Sequence, residues 1–381
     1  MLYRVPLTYS LCFLVFLTSV LSRLLFNGMI FDFDYHLYQP DGAVYSYMAM
    51  KYAGLSHVEA AQRVIDWYAV NAEPGTQLSL SFFSPETNPG VWSLGSTRVL
   101  YPFISAPLVH FLGMPGMLVV PILSMLLCLT IIMRLAHHVN QLFLGSVLIF
   151  LLTLSPTMTR WFVANITDGL LAAVVGSALY LALILEKKLV WIPLVVLVAL
   201  GSITRFSAPY WIALAIIYWF LHKKTSIILF VTSMLGVLPT LLARPDSNSI
   251  VVGAGDSLGE KIVYFPLSAL RVLFIEFAQL AAIDRSLLAI LVAAILLSLM
   301  SLRRQSSQLF LIMGLAGWFI GALNGVLGVN FRFQLPIIVF ACWVILDQAE
   351  IFRNRPVGNI LQIVGDKPKK KLNSRQEEDG K

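Results

Sequence analysis

Apolar runs recur along most of this chain, and one long polar gap interrupts them near the start. A membrane-crossing helix needs roughly 20 apolar residues. Ten runs approach that length: 7–26, 116–135, 140–156, 168–186, 189–204, 207–221, 225–243, 285–302, 308–328 and 331–348. The first ends near Phe26 and the next sustained one begins near Gly116. The pattern predicts an all-α polytopic membrane protein, a bundle of about 10 transmembrane helices within a range of about 9–12. Residues 1–350 form the membrane domain, with 28–115 as a long first loop bearing juxtamembrane helices. Residues 351–381 form a basic tail polar enough to be disordered.

Two apolar stretches fall outside the ten. Residues 99–113 are short and contain Pro102, Pro107 and His110. Residues 261–283 carry Arg271 and Glu276. Counting either as a span reverses the side of every later loop, so 99–113 is expected to lie along the outer surface and 261–283 to be interfacial or re-entrant, where their charges avoid lipid. Within the loop, Asp41 is a suitable first-turn residue for a helix continuing through Val44, Tyr47, Met48 and Lys51. Ser56 and Glu59 have the spacing of a capping box. Val58, Ala61, Ile65 and Tyr68 then fit one face of a helix reaching about Val70. Residues 71–97, rich in Pro, Gly, Ser, Thr and Asn, read as irregular.

Composition supports the membrane reading. Hydrophobic residues make up 58% of the chain and charged residues 12%, against about 25% charged in soluble domains; mean hydropathy is +0.80. The net charge of +7 does not point to nucleic acid, because its basic residues sit largely in short loops and the tail. With the N-terminus in the cytoplasm, Arg134, Lys187, Lys188, Lys223, Lys224, Arg303, Arg304 and the tail lysines all fall on the cytoplasmic side, as the positive-inside rule requires. Arg4 followed by the run 7–26 reads as an uncleaved first span. Cys12, Cys128 and Cys342 lie in apolar runs, without disulfide or metal spacing.

This topology gathers acidic and basic residues on the outer face. Asp32, Asp34 and Asp41 lie in the long loop. Arg160, Trp161 and Asp168 lie between the third and fourth spans. Arg205 ends the fifth span, and Asn330, Arg332 and Gln334 precede the last. A carboxylate can act as general base toward an acceptor hydroxyl or amine. Arginines remain ionised and match the geometry of a phosphate. This combination suits transfer of a sugar from a lipid-linked phosphate carrier.

The order of motifs resembles the GT-C superfamily of integral-membrane glycosyltransferases, which includes protein O-mannosyltransferases and lipid A aminoarabinose transferases. The resembling parts are an Asp-Gly-x-x-Tyr-x-x-Met-Ala pattern from Asp41 to Ala49, the Arg98 to Pro102 segment, Ser155-Pro156 followed by Asp168, and the Arg332 to Pro336 segment. They span most of residues 1–345. The resemblance implies a polyprenyl-phosphate-linked sugar donor and a glycan, lipid or protein acceptor outside the cytoplasm. It implies inversion at the anomeric carbon with no metal or other cofactor, and Asp41-Gly42, standing where the family often has Asp-Glu, argues against a metal-binding pair. It implies Asp41 as catalytic base, with Asp34 as competitor and Asp168 as second acidic residue. Arg332, Arg205, Arg160 and Arg98 are the candidates for the donor phosphate. Tyr45, Tyr101, Asn330 and Gln334 are the candidates for further substrate contacts.

Each assignment has a structural counterpart. Asp41 and Asp168 are also ordinary helix-start residues. The arginines are also interfacial anchors reaching for phospholipid headgroups, and Trp67, Trp92 and Trp161 are aromatic-belt residues by default. A polytopic transporter or lipid-linked-sugar flippase is the competing function. Transporters place charges near mid-membrane and often contain internal repeats, whereas these charges gather at one face and no repeat is visible.

Overall fold

A computed structural model describes residues 38, 40–72, 76–84, 86–88, 98–184, 191–205, 207–221, 258–324 and 331–354, with isolated positions within 10–18 and 231–234. The expected spans 7–26 and 225–243 lie largely outside the described residues. Asp32, Asp34, Trp92, Asn330, the four loop lysines 187, 188, 223 and 224, and the tail beyond Asn354 lie wholly outside them.

Among the described residues the regular elements are all helical, with a single isolated bridge between Tyr38 and Ala72. The loop supplies α1 (Pro40–Tyr52), α2 (His57–Asn71) and a 3-10 turn at Leu80–Phe83. Next come α3 (Leu100–Leu112), α4 (Val119–His138), α5 (Leu142–Leu154), α6 (Pro156–Val163) and α7 (Asp168–Ile184). The remainder are α8 (Trp191–Thr204), α9 (Ala208–Leu221), α10 (Leu258–Ile283), α11 (Arg285–Met300), α12 (Gln305–Asn324) and α13 (Ile337–Asn354).

Local chemistry explains several boundaries. The Ser56 side chain accepts from the Glu59 amide while Glu59 accepts from the Ser56 amide, completing the capping box that starts α2. Such a cap contributes about 1 kcal/mol. The predicted third span, 140–156, ends at a bend: α5 and α6 meet at 70°. Ser155 caps α6 and Pro156 opens it, where a missing amide costs nothing. The last helix begins later than position 331. Phe331 is left-handed at φ 65°, and Arg332–Gln334 form a 3-10 turn before α13.

The helix α13 is central, packing against α4, α5, α7, α11 and α12, and its run from Ile337 to Val344 is buried. Two described helices are long and apolar enough to cross a membrane, Met114–His138 and Pro266–Ile283; the bent pair α5 and α6 adds a third if it is one broken span. Shorter apolar helices lie at Leu100–Leu112, Asp168–Leu181, Ile192–Thr204 and Arg285–Met300.

The region expected to be interfacial or re-entrant, 261–283, thus contains a helix, Pro266–Ile283, with the length and apolarity of a span. Its contacts nevertheless tie it to one end of the bundle. The Ser268 hydroxyl donates to the Ala322 carbonyl (3.1 Å), and the Trp318 indole donates to the Ala269 carbonyl (2.8 Å), both near the end of α12. Asp284, just past the C-terminus of α10, accepts from the Ser155 hydroxyl and the Thr157 amide at the start of α6. Arg134 and Arg304 mark the opposite end. Arg134 lies beside Tyr180 and Leu181, late in α7, and Arg304 faces Asp347, late in α13.

Candidate active site

Four charged side chains form an alternating chain at the end of the bundle where α7, α8 and α9 meet the segment before α13. The Arg332 Nη1 lies 2.8 Å from the Asp41 carboxylate, and its Nε donates to Asp168 Oδ2 at 3.0 Å. The other oxygen of Asp168 accepts from Arg205. Exposure falls along this chain. The Asp41 side chain is 50% exposed, that of Arg332 11% and that of Asp168 3%. Asp41 therefore meets water while Asp168 and Arg205 are enclosed.

Arg98 adds a third guanidinium. It donates to the Tyr45 hydroxyl at 2.5 Å and lies within electrostatic reach of Asp41. Two carboxylates thus face three guanidiniums, leaving a positive surplus. Arg332, with Arg98 and Arg205 behind it, holds the Asp41 carboxyl below the ordinary carboxylate value against the opposing effect of burial. Asp168 is held by two arginines at once, which fixes their orientation.

The loop helix is clipped onto the bundle by Asn165. This buried amide donates to the Tyr68 hydroxyl (2.5 Å) and to Ser46 (3.3 Å). It also packs against Gly42, where any Cβ would overlap it. Gly42 follows Asp41 for this steric reason: a larger residue would lift α1 away from Arg332. Trp161 floors the site, with the Arg160 guanidinium 4.4 Å and the Arg332 guanidinium 5.3 Å from its ring centre, within cation–π range.

Several buried polar atoms here have no hydrogen-bond partner among the described residues: Arg332 Nη2, Thr167 Oγ1 and Gln334 Oε1. Native proteins rarely leave such groups unsatisfied. Asp168, Leu171, Arg205, Tyr210, Ile320, Arg332 and Pro336 line a cavity of ≈ 10 Å³, about the room one water needs. A phosphate enters it only if the ion pairs separate.

The structure brings Asp41, Asp168, Arg332, Arg205, Arg98 and Tyr45 together, with Gln334 close by. Arg160 lies on the Trp161 ring that Arg332 also approaches. Tyr101 packs edge-on against Tyr45, 5.7 Å between ring centres, but its hydroxyl donates to the Met117 carbonyl, so it supports Tyr45 rather than facing the cavity. Asp34 and Asn330 are outside the described residues. Sequence reasoning missed Tyr210 and Asn165. The first sits within an apolar run, and the second carried no signal beyond its proximity to Asp168. Among the described residues no group of three His, Cys, Asp or Glu side chains is arranged to hold a metal ion. The chain matches no family model, no curated protein and no solved structure.

Proposed function

We propose that this chain is a GT-C-type membrane glycosyltransferase that moves a sugar from a polyprenyl-phosphate carrier to an extracytoplasmic glycan, lipid or protein. The observation that carries this reading is the chain Asp41, Arg332, Asp168, Arg205. It joins an exposed carboxylate to buried guanidiniums with one unfilled donor, Arg332 Nη2. The ordered motifs from Asp41 to Pro336 support it independently.

In this reading the donor phosphate takes the Arg332 Nη2 hydrogen bond and competes with both carboxylates for the guanidinium. Asp41, released from its strongest partner, becomes a better base. It takes the proton of the acceptor hydroxyl as the acceptor oxygen bonds to the anomeric carbon. The bond from that carbon to the phosphate oxygen breaks on the opposite face, and the polyprenyl phosphate departs with the electron pair, its charge met by Arg332. The product is inverted at the anomeric carbon. The groups named suffice for this step without a metal.

The proposed topology has ten spans with both termini in the cytoplasm and the site outside. Arg134 and Arg304 at the far end of the bundle support that orientation, and the contacts of α10 with one end support its exclusion from the count. A membrane-impermeant thiol reagent should label a cysteine placed at position 41 from outside the cell; labelling only after permeabilisation overturns the topology.

The activity is tested by complementation in a strain lacking this protein. Asp41→Asn, expressed at wild-type levels, should fail to restore the surface glycan, and Arg332→Gln should restore only a small part of it. Restoration by both variants would mean that these residues do not carry the reaction.

A further inference from the structure

Away from the ion-pair chain, α4, α7 and α8 leave a groove of ≈ 650 Å³ between them. That size lies within the roughly 300–1,000 Å³ of ligand-binding clefts. Leu127 and Ile131 of α4, Leu181 of α7 and Ile192, Val196 and Leu197 of α8 give it apolar walls. Thr130 and Ser177 line it too, but their hydroxyls donate to carbonyls of their own helices, at Leu126 and Ala173. Their donors are thus spent within the helices.

The other polar lining is Arg134 and Tyr180, and both stand at one end. Along α4 the groove begins at Leu127 and finishes at Arg134, about 10 Å further on at 1.5 Å per residue. Tyr180 lies late in α7, and Ile192 lies at the start of α8. The opposite ends of the same two helices carry the reaction site: Asp168 opens α7, and Arg205 follows α8. Asp168 and Tyr180 are about 18 Å apart along the helix axis. A ligand whose charge sits at Arg134 therefore does not place that charge in the reaction site.

The groove opens outward. Leu127 is 45% and Val196 51% exposed, on helices that the membrane reading surrounds with lipid. Arg134 is exposed and has no ion-pair partner among the described residues. An apolar trough ending in a guanidinium and a phenol matches an amphiphile with a long hydrocarbon part and an anionic head. The guanidinium suits a phosphate, and the phenol offers one more donor at the headgroup level that tyrosines favour. Free phosphate leaves the trough bare, and a zwitterionic lipid brings its own cation to Arg134.

We propose that this groove holds an anionic glycerophospholipid of the cytoplasmic leaflet, with its phosphate at Arg134 and Tyr180 and its acyl chains along α4 and α8. In the proposed topology Arg134 meets that leaflet, whose negative charge attracts basic residues. The bound lipid fills the space beside α7 and α8, the helices that hold Asp168 against Arg205. The site does not depend on the transferase reading.

The test measures lipid binding to delipidated full-length protein in neutral detergent by native mass spectrometry. The probes are phosphatidylglycerol, phosphatidylcholine with the same acyl chains, and polyprenyl phosphate. Wild type should bind phosphatidylglycerol about fivefold or more tightly than phosphatidylcholine. Arg134→Gln should abolish that preference. Arg303→Gln, which removes an exposed charge outside the groove, should preserve it. Val196→Trp should obstruct the trough and weaken binding of both phospholipids at least fivefold, which keeps the test decisive if Arg134→Gln fails to fold. Equal binding of the two phospholipids by wild type overturns the proposal, as does wild-type affinity in Val196→Trp. Equal loss of preference in Arg303→Gln and Arg134→Gln assigns the effect to general charge and overturns it too. If polyprenyl phosphate binds more tightly than phosphatidylglycerol and depends on Arg134, the groove is a carrier site and the phospholipid assignment is wrong.

Discussion

Arg332 and Asp168 stand 164 residues apart in the chain, yet the guanidinium Nε of one lies 3.0 Å from a carboxylate oxygen of the other. Asp168 is 3% exposed and is shared with Arg205. Removing one partner of a buried pair costs about 3–5 kcal/mol because the other is left uncompensated. Since Arg205 remains on Asp168, Arg332→Gln should cost about 3 kcal/mol, the low end of that range. Asp168→Asn in the same background should cost more again, because buried Arg205 then loses its carboxylate, yet less than the sum of the two single changes, as a double-mutant cycle by thermal unfolding in detergent would show. Additive effects would mean that the two side chains are not coupled.

Acidity at Asp41 has a definite sign. Its carboxyl is held below the ordinary carboxylate value, chiefly by Arg332. As the base it must be ionised, so the acid limb of kcat/KM should lie below about pH 3.9, the unperturbed value for aspartate. Arg332→Gln removes the largest cause, and the limb should move upward toward that value. The same depression contributes stability that is present above the unfolded-state value and lost as pH falls through the folded one. A pH–rate profile of both proteins checks the limb; an unmoved limb would assign the titration to another group.

Gly42→Ala should separate α1 from Asn165, because the added methyl overlaps the amide. Overpacking of this kind costs about 1–3 kcal/mol. Activity should fall further than stability does, since Asp41 is the adjacent residue. Pairing Gly42→Ala with Asn165→Ala should restore part of the activity by making room. Assays of sugar transfer alongside melting temperature distinguish the two effects.

The Asp284 carboxylate, 1% exposed, accepts from Ser155, Thr157, Ser286 and Leu287, and so pins the α10–α11 junction to the start of α6. Asp284→Ala leaves several buried donors unsatisfied and should cost about 3 kcal/mol. Unchanged unfolding in detergent would show that this junction is not a fastening point.

The sequence disclosed the helices well where a local rule sets their limits. The capping box at Ser56 and Glu59 starts α2 where its spacing indicates, and the apolar runs locate α4, α7 and α11 closely. It did not disclose the 70° break at Ser155, because Ser-Pro within an apolar run is compatible with a straight helix end as well as a bend. For the site, charge and sidedness were enough to gather Asp41, Asp168, Arg205 and Arg332. The pairing among them depends on tertiary approach and leaves no local trace. Glu276 illustrates the limit: in the sequence it was a reason to keep α10 out of the bilayer, whereas the fold buries it to 5% exposure, which no local pattern announces.

The cavity between Asp168, Arg205 and Arg332 has room for about one water. On the proposed reading, the resting ion pairs act as a latch. A neutral lipid has nothing to offer the guanidiniums in exchange for their carboxylates, whereas a phosphate does. Selection then begins before any sugar is recognised: ligands are sorted by their ability to open the latch. Association should be slow and charge-dependent even for a tightly held donor. With the latch closed, bulk water has little access to the buried guanidiniums of Arg205 and Arg332.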